Sequence, residues 1–536
     1  MSFEININAE ERQMLMNISG RLDTVAAMEL EKAFAAALSE NEDVDEVLMD
    51  LKDLSYISSS GLRFLLGSYK KMIKKGGNFM VFRPTEAVME VFETTGFDRT
   101  IPMEDQEPHS LDKVDHRLYP LRPIQRFMMD VHFNRAGSTM MNMVSLVRLD
   151  PSIDMNLLKD ALNSVLHSHD IFRCRFVVDD ETGEIMQRFD GETEDVAVEE
   201  MTEEELEEYL RTLSRPYKVI DNPLWNLRLL KAGSRQYFYV DFYHVIMDGV
   251  AAALLFWREM EKNYKALVSG KSAADLKRSG SSYAAYIREE MADTGYDMEE
   301  GVGYWRKMLD GFSVKENLPA VDSTEESGDE EVEFPIDGIR RDFFTGAPYS
   351  EPGFFMGATL LALAKLTGKK TAIMSWVHNG RTNSKELRLM GIMLEQLPIR
   401  WDFDKDMSVE DYLAALDGLM KEGMKYRKSL GTIYSEYLDS EIACFIFQKG
   451  VIGRRGELAL GDTKAVIEPL PDGEEGAAES AMDIELNAHE DGSFSVVFDY
   501  DTGMYSPKAI ENCADVIRAV IAKMQQGCSL FEILDD

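Results

Sequence analysis

At 536 residues the chain is long enough for two to four domains, each with its own core. Its 45% apolar content excludes a largely disordered protein, and a net charge of −38 argues against nucleic-acid backbones and anionic membrane surfaces as partners. Four cysteines, Cys174, Cys444, Cys513 and Cys528, lie far apart in no metal-ligand spacing, which favours a reducing compartment and no bound metal. The N-terminus lacks the basic and apolar regions of a signal peptide, and no run approaches the ~20 apolar residues of a membrane span. Gly353 to Leu366 is the nearest, and Lys365 breaks it. The expectation is a soluble, cytoplasmic, bacterial-type protein.

Residues 1–104 alternate short strands and helices. Met14 to Ile18 reads as a strand, and Ala27, Leu30, Phe34 and Leu38 stand at helical spacing. Val47, Met49 and Leu51 alternate as a buried strand. Leu62, Leu65, Leu66, Tyr69 and Met72 form the stripe of a second helix that Gly76-Gly77 ends. Asn78 to Phe82 is a further strand and Glu86 to Phe92 a third helix. Residues 105–117 read as a charged linker carrying Pro108. A larger α/β region follows, with a helix at Asn156 to His167 and a strand at Phe172 to Val178. Thr202 to Leu213 reads as a solvated, Glu-rich helix, and Asp322 to Glu331 as an acidic loop.

The most informative stretch is Tyr243-His244-Val245-Ile246-Met247-Asp248-Gly249. It closes a strand-like run, Tyr237 to Phe242, and opens an apolar helical one, Val250 to Tyr264. Strand alternation puts His244 on the side of Phe238, Val240 and Phe242, where an imidazole at a buried strand end is placed for proton transfer. Asp248-Gly249 supplies a helix N-cap. The other histidines, His109, His116 and His132 among them, show no clustering, and His378 reads as structural.

Gly20-Arg21-Leu22-Asp23, Asp50-Leu51-Lys52-Asp53-Leu54, Tyr56-Ile57-Ser58-Ser59-Ser60-Gly61-Leu62 and Thr95-Gly96-Phe97 together resemble the anti-sigma-factor antagonist (STAS) family. That resemblance implies a phosphoprotein switch: a partner serine kinase modifies Ser59 and thereby controls binding to an anti-sigma factor. A hydroxyl at a helix N-cap suits this, because a phosphate there gains backbone N–H donors.

The heptad at 243–249 resembles the His-His-x-x-x-Asp-Gly signature of nonribosomal-peptide-synthetase condensation domains, with Tyr243 in place of the first histidine. Tyr119 to Arg126, His167 to Phe176, Tyr304-Trp305, Asn379-Gly380-Arg381 and Met390 to Pro398 are similar to further elements of that family, in its order. The resemblance implies an α/β fold: an N-terminal STAS domain (1–104), a linker (105–117), and a two-lobed chloramphenicol-acetyltransferase-like region with lobes at 118–285 and 286–536. It also implies transfer of an acyl group from a pantetheine thioester to an amine or hydroxyl, with His244, Asp248, Gly249 and Arg173 as the catalytic set. His244 is the general base, Arg173 the ion-pair partner of Asp248, and Gly249 the close turn. No cofactor is expected to stay bound. The donor is expected in trans, on an acyl carrier or coenzyme A, with Arg122, Arg126, Arg173 and Arg175 as candidates for a basic docking patch. The alternative is a non-catalytic signalling protein, an anti-sigma-factor antagonist whose condensation-type region only binds.

Overall fold

The computed structural model describes residues 2–8, 13–41, 44, 46–75, 77–95, 101, 103–104, 116–134, 137–276, 282–292, 296–311, 318–323, 328–383, 386–431, 443–449, 456–461, 463–468, 481–489 and 491–535. The chain divides into two units, one built on Met1–Lys113 and the other holding most of Val114–Asp536. Among the described residues no helix is long and apolar enough to cross a membrane.

The first unit runs β1 (Ser2–Asn8), β2 (Gln13–Leu22), α1 (Thr24–Glu40), β3 (Glu46–Ile57), α2 (Ser59–Lys74), β4 (Asn78–Phe82), α3 (Glu86–Thr95) and β5 (Met103–Glu104). The sheet order is β1-β2-β3-β4-β5, antiparallel at β1/β2 and parallel elsewhere. The alternating residues Met14, Met16 and Ile18 of β2 and Val47, Met49 and Leu51 of β3 share one core with the helical stripes Leu30, Phe34, Leu38 and Leu62, Leu65, Met72. Asp23 caps α1 by accepting from Val25 and Ala26 N–H. At the start of α2 the cap is Ser58, whose Oγ accepts from Gly61 N–H at 3.3 Å. Ser59 is the first helical residue rather than the expected N-cap. The Gly96-Phe97 motif and most of the expected linker lie outside the described residues.

The second unit contains β6 (Tyr119–Pro120), α4 (Pro123–Asn134), β7 (Asn142–Leu149), α5 (Met155–Ser168), β8 (Arg175–Val178), β9 (Ile185–Arg188), β10 (Val198–Glu200), α6 (Glu203–Leu210), β11 (Trp225–Ala232), β12 (Arg235–Tyr243), α7 (Trp257–Val268), α8 (Tyr283–Ala292) and α9 (Met298–Leu309). It continues with β13 (Asp329–Ile336), α10 (Glu351–Thr367), β14 (Thr371–His378), β15 (Glu395–Asp402), α11 (Val409–Lys425), α12 (Arg427–Leu430), β16 (Cys444–Lys449), β17 (Gly456–Leu460), β18 (Thr463–Glu468), β19 (Met482–Ala488), β20 (Phe494–Asp501), α13 (Pro507–Gln525) and α14 (Leu530–Leu534). Two six-stranded sheets organise it, ordered β10-β11-β12-β7-β18-β17 and β13-β20-β19-β16-β14-β15. α10, buried from Gly353 to Ala364, is the core helix of the second half, capped by Ser350 and ended by Gly368 at φ +66°.

Two local expectations are corrected. Within Asp322 to Glu331, residues from Asp329 onward are not loop but the start of edge strand β13, paired antiparallel with β20. The Glu-rich helix α6 is not wholly solvated: Leu206, Leu210 and Leu213, at helical spacing, enter a core with Leu230, Tyr237 and Tyr239.

Candidate active site

β12 is buried along nearly its whole length and carries different chemistry on its two faces. On one, Phe238 and Phe242 pack on Phe256 at 6.2 and 5.1 Å, and Phe172 lies 6.1 Å from Phe242. On the other stand Tyr239, Asp241 and Tyr243. The strand ends at Tyr243, where Ile246 N–H donates to the Tyr243 carbonyl at 3.0 Å and closes a tight turn. His244 N–H donates to the Met141 carbonyl at 2.9 Å, and buried Gln125 donates Nε2–H to the Val245 carbonyl at 3.1 Å. The chain then opens into a wide, π-type stretch, Ala251–Phe256, before α7, rather than a regular helix from Val250.

Asp248 caps that stretch. Its Oδ1 accepts from Ala251 N–H at 2.8 Å, and its Oδ2 accepts from Met393 N–H at 2.7 Å, tying the turn to the segment before β15. Gly249, half-buried, follows it. Near that segment, Gly380 has φ +70° and an added Cβ would sit 1.6 Å from the Met393 carbonyl, so only glycine fits.

His244 is largely buried, though less so than Tyr243 and Val245 to Asp248. Burial lowers its pKa below the ordinary histidine value, against the opposing pull of nearby backbone groups and the Asp248 carboxylate. The imidazole is therefore neutral at neutral pH. Its Nδ1 is enclosed and finds no hydrogen-bond partner among the described residues.

Arg173 ends a 3₁₀ turn, Asp170–Arg173, and is half-buried; its carbonyl accepts from Gly191 N–H at 3.0 Å. The turn is held against the β12 face below His244 through Phe172, whose carbonyl accepts from Trp225 Nε1–H at 2.9 Å. Two of the four arginines expected in a docking patch are instead buried. Arg122 pairs with Glu395 at 2.6 Å and Glu290 at 3.0 Å, and Arg175 donates to the Cys174 carbonyl at 2.8 Å and to the Glu192 carbonyl. At the end of β14, His378 Nδ1 accepts from Gly380 N–H at 3.0 Å, a turn contact.

One histidine from outside the heptad reaches the turn. His132, at the end of α4, shares a 2.6 Å hydrogen bond between its Nδ1 and the Tyr243 hydroxyl. The sequence signal was the departure itself: a longer, phenolic side chain where the signature carries histidine needs a different partner. A second residue missed is Asp241, 1% exposed, which accepts from Tyr239 Oη at 2.9 Å and Asn142 Nδ2 at 3.0 Å. Its signal was one carboxylate inside an otherwise apolar strand.

In the first unit Ser59 is exposed, with Arg63 one turn along donating to its carbonyl at 3.5 Å. A groove of about 900 Å³ opens on that unit's sheet, lined by residues that include Phe3, Leu15, Phe82 and the Asp50–Arg83 ion pair, and it has no residue in common with the His244 turn. Among the described residues no cluster of His, Cys, Asp and Glu could hold a metal, and all four cysteines are free.

Two lobes with a histidine turn at the end of a buried strand define the chloramphenicol-acetyltransferase-like class, beside an N-terminal α/β domain. The condensation-domain family profile matches residues 115–532, and the chain belongs to that family. The STAS-domain profile matches residues 4–109, so the first unit is a STAS domain. Surfactin synthase subunit 2 of Bacillus subtilis (strain 168) is 25% identical over 348 residues, 62% of this chain but only 9% of that synthase. The condensation domain of the monacolin K polyketide synthase MokA superposes with a TM-score of 0.61 at 18% identity, covering 77% of this chain and 99% of that one. A variant of the starter condensation domain of rhizomide synthetase RzmA, in complex with C8-CoA and Leu-SNAC, gives 0.58 at 18% identity, covering 76% and 94%.

Proposed function

We propose that the chain is a condensation-type acyltransferase moving an acyl group from a pantetheine thioester to an amine or hydroxyl acceptor in the bacterial cytoplasm. The donor arrives in trans, on a separate acyl carrier or on coenzyme A. The observation that carries this reading is His244: a neutral, largely buried imidazole at the head of a turn tied down on both sides. The acceptor N–H or O–H gives its proton to Nε2 of His244 as the nitrogen or oxygen attacks the thioester carbonyl. The carbon–sulfur bond breaks, and the imidazolium returns the proton to the departing thiolate, leaving an amide or ester and a free thiol. General-base assistance of this kind contributes ~10²–10⁴-fold, and holding both substrates in line contributes much of the rest. Asp248 and Gly249 shape the turn, with Arg173 as the charge partner of the Asp248 carboxylate.

The STAS domain serves regulation or docking, with domain limits at 1–104, 105–117, 118–285 and 286–536. Ser59 is the phosphoryl acceptor for a serine kinase, and an anti-sigma factor is the partner whose binding the phosphate controls. Exposure at the first turn of α2, beside Arg63, supports that role. Intact-mass analysis of protein from its native cell should find a phosphate at Ser59 in some growth state; its absence in every state removes the switch.

The test of the enzyme reading is full-length protein with octanoyl-coenzyme A and Leu-SNAC, alongside other thioesters and amines. His244→Ala should lose at least about a hundredfold in transfer rate. Equal rates in the variant, or no transfer by the wild type from any thioester, would overturn it. Tyr243 in place of the family's first histidine favours the second reading for that case, a non-catalytic antagonist whose condensation-type region binds a ligand or partner.

A further inference from the structure

We infer that His132 and Tyr243 are the positioning residues of the His244 turn, a hydrogen-bonded pair that fixes the last strand residue and through it the direction of the neighbouring imidazole. The inference rests on the acyltransferase reading for its kinetic consequence but not for its geometry.

Tyr243 is the hinge between ladder and turn. Its N–H donates to the Leu224 carbonyl at 3.0 Å, its carbonyl accepts from Ile246, and Asn142 stands opposite it on β7. Its backbone is therefore shared by the strand that ends and the turn that begins. Its side chain points away from His244, to the face carrying Tyr239 and Asp241, and is 1% exposed. A phenol so enclosed destabilises the fold if its hydroxyl finds no partner. His132 Nδ1 supplies that partner at 2.6 Å, with the rings edge to face at 5.6 Å.

Tyr217 packs on the same ring at 4.9 Å, and its own hydroxyl donates to the Asp241 carbonyl at 3.0 Å. Tyr243 is thus held by an imidazole and a second phenol that is itself bonded to β12. Burial lowers the His132 pKa and favours a neutral ring. In the tautomer with its proton on Nε2, Nδ1 receives the phenol O–H. The anchor reaches the turn from α4, whereas the Asp248 contact to Met393 anchors its other end. His244 lies between the two.

The experiment uses the full-length chain labelled with ¹⁵N at histidine, and the variants Tyr243→Phe, His132→Leu and His132→Gln. Phe keeps the ring and deletes the hydroxyl; Gln returns an acceptor oxygen. In Tyr243→Phe and His132→Leu the imidazole ¹⁵N resonances of His244, not only those of His132, should shift or broaden. The thermal midpoint should stay within about 2–4 °C of the wild type, the shift expected in a domain of this size or smaller for the loss of one hydrogen bond. With octanoyl-coenzyme A and Leu-SNAC, kcat should fall about tenfold, the worth of one hydrogen bond, while KM changes by less than about twofold. His132→Gln should restore both signals and rate. His244 resonances unchanged in Tyr243→Phe and His132→Leu would overturn the proposal, as would a loss confined to the thermal midpoint. If the wild type transfers no acyl group, the enzyme reading fails by itself, and the His244 resonances still decide the positioning role.

Discussion

His244 and Asp241 stand three residues apart at one strand end, and burial moves their proton affinities in opposite directions. The imidazole is pushed down, which keeps the base form available at neutral pH. The Asp241 carboxyl is pushed up to about 6 by burial, against the hydrogen bonds from Tyr239 and Asn142 that favour its anion. A folded pKa above the unfolded value means the folded chain binds that proton more tightly. Asp241 therefore stabilises the fold as pH falls from about 6 toward the unfolded value of 3.8, and its penalty is fully in force above about 6. Asp241→Asn should remove this pH dependence and raise stability at pH 8 by up to about 3 kcal/mol, two pKa units at ~1.4 kcal/mol each. Urea denaturation of both proteins at pH 5 and pH 8 checks it: the difference between them should grow with pH. Reading the strand as a period-two alternation carried it one residue too far, because β12 ends at Tyr243 and His244 already lies in the turn. It said nothing of what the opposite side chains touch, which is why Asp241 and His132 went unread.

Elements were legible where apolar periodicity was clean and obscured where charge overlay it. The helices and strands of the first domain follow the stripes at Ala27 to Leu38 and Leu62 to Met72. β13 was missed because Asp329, Glu330, Glu331 and Glu333 dominate its composition, although Val332, Phe334 and Ile336 alternate. Charge and a proline, Pro335, are what an exposed edge strand carries to deter pairing with other chains. The role of Arg122 was equally hidden, because its carboxylate partners lie about 170 and 270 residues away. It is fully enclosed at the start of α4, joined to α8 through Glu290, to β15 through Glu395, and to the Ile392 carbonyl at 3.1 Å. Arg427 of α12 reaches the same Glu395 at 3.4 Å. Arg122→Met leaves two carboxylates without their central cation, and should cost about 3–5 kcal/mol. Chemical denaturation measures that loss, and adding Glu395→Gln should recover part of it.

On the scale of the whole molecule, −38 charges oppose the approach of acidic partners such as acyl carriers. With Arg122 and Arg175 buried, they add nothing to a docking patch. The kcat/KM for an acidic carrier thioester should accordingly rise as salt is raised, because screening shortens the reach of the repulsion to about 8 Å near physiological ionic strength. Stopped-flow rates across a salt series test this, and a falling rate would reveal a local basic surface that outweighs the total.

β17 and β18 come late in the chain, yet they complete the sheet of the first half, where Val466 faces Arg148, Glu468 faces Leu146, and the Arg148 and Glu468 side chains pair. This hairpin acts as a seam: the halves of the condensation region cannot separate without breaking its pairing to β7. Paired there, β18 covers an edge of β7 that would otherwise stand bare to other chains.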